Sequence, residues 1–175
     1  AFMSGRIADI AIDPKNENVW YVAVGSGGVW KTENSGTTWT PLTDNMPFYS
    51  TGCITIDPQN NASIWLGTGE NVGGRHVGIG HGIYHSMDGG KSWKDMGLKK
   101  SEHISKIIVH PNDPNTVWVA SQGPLWSSGG ERGLYKTTDG GTTWKNTLEI
   151  NEWTGVTDLV IDPTNPDILY AASWQ

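Results

Sequence analysis

Short apolar runs of β-branched and aromatic residues recur along the chain, with turn-forming residues between them. The first kind of run ends at a proline in all four of its copies, at residues 10–14, 54–58, 107–111 and 159–163. These prolines, at positions 14, 58, 111 and 163, are 44, 53 and 52 residues apart. Runs of this length, bounded by Pro, Gly, Asn and Asp, predict short β-strands, and no helical period extends over a useful length.

Further runs follow in the same order within each period. The second run lies at residues 19–22, 64–67, 117–120 and 168–171, the third at 29–32, 83–86 and 134–137, and a short fourth strand begins at Trp39, Trp93 and Trp144. Four strands in a period of about 40 to 50 residues are typical of a β-propeller blade. The chain is therefore predicted to be all-β, a propeller segment of four-stranded antiparallel blades. The predicted blades span about 5–43, 50–98 and 103–148, followed by half of a fourth blade at about 154–175.

A compact motif separates the third and fourth strands in each complete blade, at residues 32–39, 86–93 and 137–144. It resembles the Asp box, Ser/Thr-x-Asp-x-Gly-x-Thr/Ser-Trp, of sialidases, sortilin-type receptors and xyloglucan-degrading endoglucanases. The chain as a whole is similar to exported bacterial BNR-repeat, sortilin-like proteins that carry the label "glycosyl hydrolase". The resemblance implies a structural role for Asn34, Gly36, Trp39, Asp88, Gly90, Trp93, Asp139, Gly141 and Trp144.

The chemistry of the box is that of a turn. A short carboxylate accepts hydrogen bonds from backbone N–H groups a few residues on, and Gly allows a positive φ where the hairpin reverses. In blade one Asn34 replaces the aspartate and Ser35 replaces the first glycine. We expect the same turn there, with an uncharged acceptor.

Composition excludes several classes of protein. The net charge is −6 and the basic residues are scattered, so a nucleic acid is not a predicted partner. No apolar stretch approaches about 18 residues, so no membrane span is predicted. Cys53 is the single cysteine of the sequence, which excludes an internal disulfide and predicts a small core residue.

Loops joining the second and third strands, and links between blades, should share one face of the propeller, opposite the Asp boxes. Arg6, Arg75 and Arg132 all map to that face. Three arginines there resemble the carboxylate-binding triad of sialidases, because Arg binds a carboxylate in a bidentate manner. The alternative, which we favour, is that these arginines pair with Glu70, Glu131 and loop carbonyls to order glycine-rich loops.

Aromatic residues outside the repeat lie near the same face: Phe48, Tyr49, Trp126, Trp153 and Trp174. Tyr49, Trp126 and Trp153 are candidates for stacking on sugar rings or anchoring a peptide, and the alternative is that they fill gaps between blades. His76 and His81 are further ligand-binding candidates. Together with His103 they could suggest a metal site, but a glycine-rich loop does not preorganise three converging ligands, so neither a metal nor a cofactor is predicted.

The sequence is compatible with two functions. The first is an exported binding or scaffold propeller, extracellular, at the cell surface or periplasmic, with a polysaccharide or protein ligand. Remaining blades of the same chain, or another subunit, are expected at the open edge of the fourth blade. The second is a glycoside hydrolase of the xyloglucanase or sialidase kind, for which Glu70, Glu131 and Asp158 are the candidate acids. Glu102 is a further candidate on the loops, and Asp9, like Asp158, lies on a first strand that could face the central channel.

Overall fold

A computed structural model of the chain describes residues 5–72 and 77–175. The first two blades contain β1 (Ile7–Ile12), β2 (Trp20–Val24), β3 (Gly28–Thr32), β4 (Thr40–Pro41), β5 (Thr51–Ile56), β6 (Ile64–Thr68), β7 (Ile83–Ser86) and β8 (Lys94–Asp95). They are followed by β9 (Ile104–His110), β10 (Asp113–Ser121), β11 (Gly133–Thr137), β12 (Lys145–Leu148), β13 (Gly155–Ile161) and β14 (Leu169–Trp174).

The strands form three four-stranded sheets and one two-stranded sheet, and in each sheet consecutive strands pair antiparallel. This confirms the predicted all-β class and the three complete blades followed by half of a fourth. No helix within the two described ranges is long and apolar enough to cross a membrane.

A β-bulge interrupts the pairing of every first strand with its second strand at the same place. The register shifts lie between Ile7 and Asp9, between Thr51 and Cys53, and between Val156 and Asp158, with a matching shift in β9. Asp9 accepts a hydrogen bond from Ile54 N at 3.1 Å, which joins the first strands of blades one and two. A bulge re-aims the side chains beside it, and its repetition places equivalent residues of successive blades in equivalent positions.

The prolines follow the first strands as predicted, but β10 begins earlier than its apolar run. Asp113 pairs with His110 before a register shift, so Pro114 lies inside the strand at the irregularity. Proline lacks the N–H of a regular ladder and is accepted at such an irregularity. The hydrophobic pattern therefore located the buried part of β10 and missed its exposed start.

The Asp boxes form the turn that the motif predicts. In blade two Asp88 Oδ1 accepts from Ser92 N at 2.9 Å and Oδ2 accepts from Ser92 Oγ at 2.6 Å. Asp139 makes the equivalent bonds to Thr143, at 2.9 and 2.7 Å. These bonds favour the charged carboxylate, so the pKa of Asp88 and that of Asp139 fall to about 2.

Blade one keeps this turn with different chemistry. Asn34 Oδ1 accepts from Thr38 N at 2.8 Å, and Asn34 Nδ2 donates to Thr38 Oγ1 at 2.8 Å. Ser35 adopts a φ of 54°, in the left-handed region that the glycines of the other two boxes occupy. Its hydroxyl donates to Asn18 Oδ1 at 2.7 Å, a contact that offsets part of the cost of this conformation.

The boxes lie on the same face as the proline turns. A backbone N–H of each box donates to a carbonyl of the loop between the first and second strands: Ser35 to Asn18, Gly89 to Ala62 and Gly140 to Asn115, at 2.9 to 3.0 Å. This face repeats closely from blade to blade.

Most of the apolar core lies between blades, and a smaller cluster of Val22, Val24, Trp30 and Trp39 lies within blade one. One cluster joins blades one and two, a second joins blades two and three, and a third joins blade three to β13 and β14. Box tryptophans contribute to it: Trp144 packs edge-on against Trp65 of the preceding blade, with ring centroids 6.2 Å apart, and its Nε1 donates to Met96 O at 2.7 Å. Each blade is therefore stabilised by its neighbour.

The Asp139 carboxylate is predicted to stabilise blade three. Asp139→Ala removes acceptors for Thr143 N, Thr143 Oγ1 and Thr137 Oγ1, so the melting temperature should fall. Asp139→Asn is the matched control, because Asn34 already forms this turn in blade one. Thermal unfolding should give the highest melting temperature for the wild type, a lower one for Asp139→Asn and the lowest for Asp139→Ala. An unchanged melting temperature for Asp139→Ala would contradict this role.

Candidate functional site

The face opposite the Asp boxes carries the β2–β3, β6–β7 and β10–β11 loops and the links between blades, and we call it the loop face. One backbone bond repeats there: Gly25, Gly69 and Gln122, each just past a second strand, donate to the carbonyls of Arg6, Ser50 and His103, at 2.8, 3.0 and 3.0 Å. Arg6, Ser50 and His103 therefore hold equivalent positions at the start of the three blades. Their side chains differ, and these different side chains together form the site.

All three equivalent side chains contact Glu70. Arg6 Nε and Nη2 donate to the two carboxylate oxygens of Glu70 at 2.6 and 2.5 Å. Ser50 Oγ accepts from Glu70 N at 3.0 Å, and His103 Nδ1 lies 2.9 Å from Glu70 O. One residue of blade two thus connects the starts of blades one, two and three.

Burial explains why Glu70 needs these partners. Its side chain is 2% exposed, whereas that of Arg6 is 57% exposed, so the ion pair extends from the interior to solvent. An ionised carboxylate out of water requires a charged or hydrogen-bonded partner. The hydrogen bond and the charge of Glu70 raise the pKa of Arg6. A Cβ atom on Gly25 would lie 2.5 Å from Glu70 Cδ, so the close approach of this carboxylate requires glycine there.

Burial favours the neutral form of His103 in this arrangement. It is 2% exposed, and burial lowers its pKa, against a smaller opposing effect of the bond to Glu70 O. A neutral imidazole that contacts a carbonyl through Nδ1 carries its proton on Nδ1. His103 therefore acts as a donor to the backbone of Glu70.

Arg132 organises the loop between β10 and β11. Its five N–H groups donate to five backbone carbonyls, those of Gln122, Pro124, Ser127, Gly129 and Trp153, at 2.7 to 3.3 Å. The residue is 6% exposed, and burial lowers the pKa of its guanidinium. Because all five donors are used, Arg132 has no N–H group left for a ligand carboxylate. Its geometry matches the structural alternative for the loop arginines, as does the pairing of Arg6 with Glu70.

The loop held by Arg132 presents aromatic side chains. Trp126 is 76% exposed, and Trp153, whose carbonyl accepts from Arg132, is 48% exposed. Beside them lies a small cleft of about 80 Å³, lined by Gln122, Pro124, Leu125, Arg132, Trp153, Trp174 and Gln175. We call it the tryptophan cleft.

Gln122 is the unusual residue of the tryptophan cleft. It is 4% exposed, yet its side-chain Oε1 is buried and accepts no hydrogen bond from any described residue. A buried acceptor without a donor costs about 1–3 kcal/mol.

A larger cleft of about 410 Å³ lies between blades one and two, on the same face. Its walls include Ser26, Tyr49, Ile79 and His81. Tyr49 is 69% exposed, whereas the adjacent Phe48 is buried against Tyr84 in the core, with ring centroids 4.5 Å apart. Of this aromatic pair, Tyr49 is thus available to a ligand and Phe48 fills the space between blades.

Asn71, which follows β6 in blade two, also contacts blade four. Asn71 Nδ2 donates to Thr157 O of β13 at 3.2 Å, a contact between blade two and blade four. Arg75 and His76, two of the predicted ligand-binding residues, lie outside the described residues. Within the described ranges, no group of three or more His, Cys, Asp or Glu side chains is arranged to hold a metal ion.

The three candidate acids have separate environments. Glu70 is buried under Arg6. Glu131 is half-buried, and its Oε2 accepts from Lys100 N at 2.8 Å. Asp158 is exposed on β13, where Oδ1 accepts from Leu159 N at 2.8 Å. Asp158 is therefore the candidate whose carboxylate is most open to a substrate.

Sequence reasoning missed Ser50 and Gln122 and treated His103 as part of a possible metal site. The signal that could have found them is their alignment in the repeat, since they occupy the equivalent positions that differ between blades. What the repeat could not show is that Ser50 and His103 both converge on Glu70.

Removal of Arg6 should destabilise the protein through the carboxylate that it leaves behind. Arg6→Ala leaves Glu70 buried without a counterion, whereas the double variant Arg6→Ala/Glu70→Gln places a neutral amide there. We expect the wild type to have the highest melting temperature, the double variant a lower one and Arg6→Ala the lowest. A single variant as stable as the double variant would contradict a cost of leaving the buried Glu70 carboxylate without a counterion.

Comparison with known proteins supports the propeller assignment. Xyloglucanase Xgh74A of Acetivibrio thermocellus is 27% identical to the chain over 173 residues, which cover 79% of the chain and 19% of the relative. The chain spans about a fifth or less of the length of the curated relatives it matches. The structure of an ancestral GH74 enzyme superposes with a TM-score of 0.76 at 22% identity, covering 96% of this chain and 22% of that chain.

A second solved structure, YCF48 bound to D1 peptide, has a TM-score of 0.62 at 16% identity and covers 91% of this chain and 45% of that chain. These structural likenesses establish the fold. The profile of the Sortilin-Vps10 family, described as "Sortilin, neurotensin receptor 3", matches residues 81–175, more than half of the chain. With its Asp boxes in register and its four-stranded blades, the chain belongs to the Sortilin-Vps10 family of propeller proteins.

Proposed function

We propose that this chain forms part of an exported propeller whose loop face binds a polysaccharide, with Tyr49, Trp126 and Trp153 as the contact residues. The observation that carries the proposal is the exposure of these three aromatic side chains, at 69%, 76% and 48%, on one face of a rigid scaffold. Exposed Tyr and Trp side chains offer large apolar surfaces with little conformational entropy to lose on binding.

The loops that carry these residues are held in place before any ligand arrives. Arg132 fixes the segment around Trp126 and the carbonyl of Trp153 through its five hydrogen bonds. Tyr49 precedes Ser50, which contacts Glu70 N. A preorganised surface loses less entropy when it binds, and this increases affinity.

A carbohydrate ligand is favoured over a protein by the relatives. Xgh74A of Acetivibrio thermocellus is a xyloglucanase, and its similarity extends over 79% of this chain. YCF48 bound to D1 peptide supports a protein ligand as the second candidate, at 16% identity. We further propose that more blades, or another subunit, pair with β14, where Tyr170 and Trp174 are 63% and 55% exposed. The proposed location is extracellular, at the cell surface or periplasmic.

A glycoside hydrolase is the second candidate function, and the xyloglucanase relatives favour it. Hydrolysis needs two carboxyl groups on opposite sides of the bond, roughly 5–10 Å apart. In this chain Glu70 is occupied by Arg6 and Glu131 by Lys100 N, and Asp158 is exposed. The chain therefore supports binding more directly than catalysis. Release of reducing sugar that Asp158→Asn abolishes would favour the hydrolase.

Binding to xyloglucan oligosaccharides should depend on the exposed aromatic residues. For the full chain, Trp126→Ala and Tyr49→Ala should each weaken binding at least about fivefold in isothermal titration calorimetry, with unchanged melting temperatures. Met87→Ala is the matched control, because Met87 is 62% exposed and lies in the Asp box of blade two, on the opposite face. Affinities that stay at the wild-type value in both aromatic variants would refute a role for this face.

A further inference from the structure

One surface of blade four has side chains whose equivalents are buried between blades elsewhere in the protein. Tyr170 pairs with Val160 across β13 and β14 in the register in which Tyr21 pairs with Ala11 in blade one. Tyr21 and Ala11 pack in the cluster that joins blades one and two, and Tyr21 is 2% exposed. In contrast, Tyr170 is 63% and Val160 is 56% exposed. With Ile168, which is also exposed, these two residues form what we call the exposed face of blade four.

Blade one carries the opposite half of such a contact. By strand register, Ile10 and Ile12 occupy the positions of Ile54 and Ile56 in blade two. Ile54 and Ile56 are buried in the cluster that joins blades one and two, whereas Ile10 and Ile12 are 53% and 55% exposed. Trp20 pairs with Ile12 on β2 and is half-buried. We call Ile10, Ile12 and Trp20 the exposed face of blade one.

The two exposed faces match in extent. Among the described residues blade four has two strands, β13 and β14, so it can cover the first and second strands of a neighbouring blade. The exposed face of blade one lies on β1 and β2. Farther out, Trp30 of β3 is 6% exposed, because it packs with Val22 and Trp39 within blade one. A two-stranded blade therefore fits the area that blade one exposes.

We propose that the exposed face of blade four packs on the exposed face of blade one in a second copy of this chain. Each interface within the chain joins the same two kinds of face in the same order, and the proposed contact continues this series between molecules. Because each copy contributes a different surface, the contact is head-to-tail. The inference identifies the subunit that covers β14, and it does not depend on a polysaccharide ligand.

The contact should be weaker than the interfaces within the chain. At the bulge of β1, Asp9 Oδ2 accepts from Ile54 N of the next blade. Asp158 holds the equivalent position in β13. It would therefore lie beside the β1 bulge of the second copy, where Asp9 itself is located. Two carboxylates brought together oppose association, so we expect a dissociation constant in the micromolar range.

Sedimentation velocity on the full chain, without sugar, tests the contact from low micromolar to several hundred micromolar protein. The wild type should form larger species as the concentration rises. Tyr170→Lys and Ile10→Lys each place a charge on one exposed face, so each should raise the dissociation constant at least about tenfold. Both positions are exposed, so the melting temperatures should stay at the wild-type value. Met87→Lys is the matched control, since Met87 is 62% exposed in the Asp box of blade two.

A mixture of the two variants tests the head-to-tail geometry. Tyr170→Lys keeps the exposed face of blade one, and Ile10→Lys keeps the exposed face of blade four. An equimolar mixture should therefore form a one-to-one complex and no larger species, although neither variant associates alone. Association of Tyr170→Lys by itself would overturn the proposal, because blade one would then bind its own kind of face.

Two further results would also overturn the proposal. One is a wild-type chain that remains monomeric over the whole concentration range. The other is association that Met87→Lys weakens as much as Tyr170→Lys does, since that result would indicate unspecific contacts. The proposed function is tested separately, by titrating xyloglucan oligosaccharides into the monomeric Tyr170→Lys variant, so either proposal can fail while the other stands.

Discussion

Burial of apolar surface between adjacent blades is the constraint on which the rest of this structure depends. The central strands are apolar on both faces: β6 is buried at all five positions, and β2 is buried at four of five. A sheet of this kind is stable in water only when neighbours cover both sides. The clusters that join blade one to two, two to three and three to four meet this need. In β14, which has β13 as its strand partner, the burial pattern is mostly exposed.

Under this constraint, side chains can vary more between blades on one face of the propeller than on the other. The Asp boxes and proline turns close on one another by the same hydrogen bonds in each blade, so substitutions there affect stability. On the loop face the backbone bond at Arg6, Ser50 and His103 repeats, whereas the side chains at these positions differ. Glu70 and Arg132 are two side chains that differ from their counterparts in the other blades, and their hydrogen bonds order the loops. Each is a buried charge whose partners lie in more than one segment of the chain, so each fixes a surface that the strands alone would not determine.

The repeat made the fold predictable. Strand runs, turn residues and the box motif all recur in register, and the strands pair in the order that the repeat predicts. Asn34 shows the same agreement, because the expected turn forms with an amide in place of a carboxylate. The early start of β10 was missed, since Asp113 and Pro114 carry no hydrophobic signal.

The loop face was predictable only in outline. Sequence placed Arg6, Glu70, Arg132 and the aromatic residues on one face, but their partners lie far along the chain. The contact of Arg6 with Glu70 spans 64 positions, and that of His103 with Glu70 spans 33. The saturation of Arg132 depends on five backbone carbonyls, which every sequence possesses and no motif marks. That Gln122 Oε1 has no donor among the described residues is likewise a property of the packed structure.

The central claim is that the loop face is preformed, and amide hydrogen exchange tests it most directly. Lys has three N–H donors at one nitrogen, so Arg132→Lys cannot reproduce the five bonds that Arg132 makes. We expect slow exchange across residues 122–132 in the wild-type chain and markedly faster exchange there in Arg132→Lys, with the Asp box at 137–144 unchanged. Exchange in residues 122–132 that is already fast in the wild type, and equal in the variant, would contradict a preformed binding face.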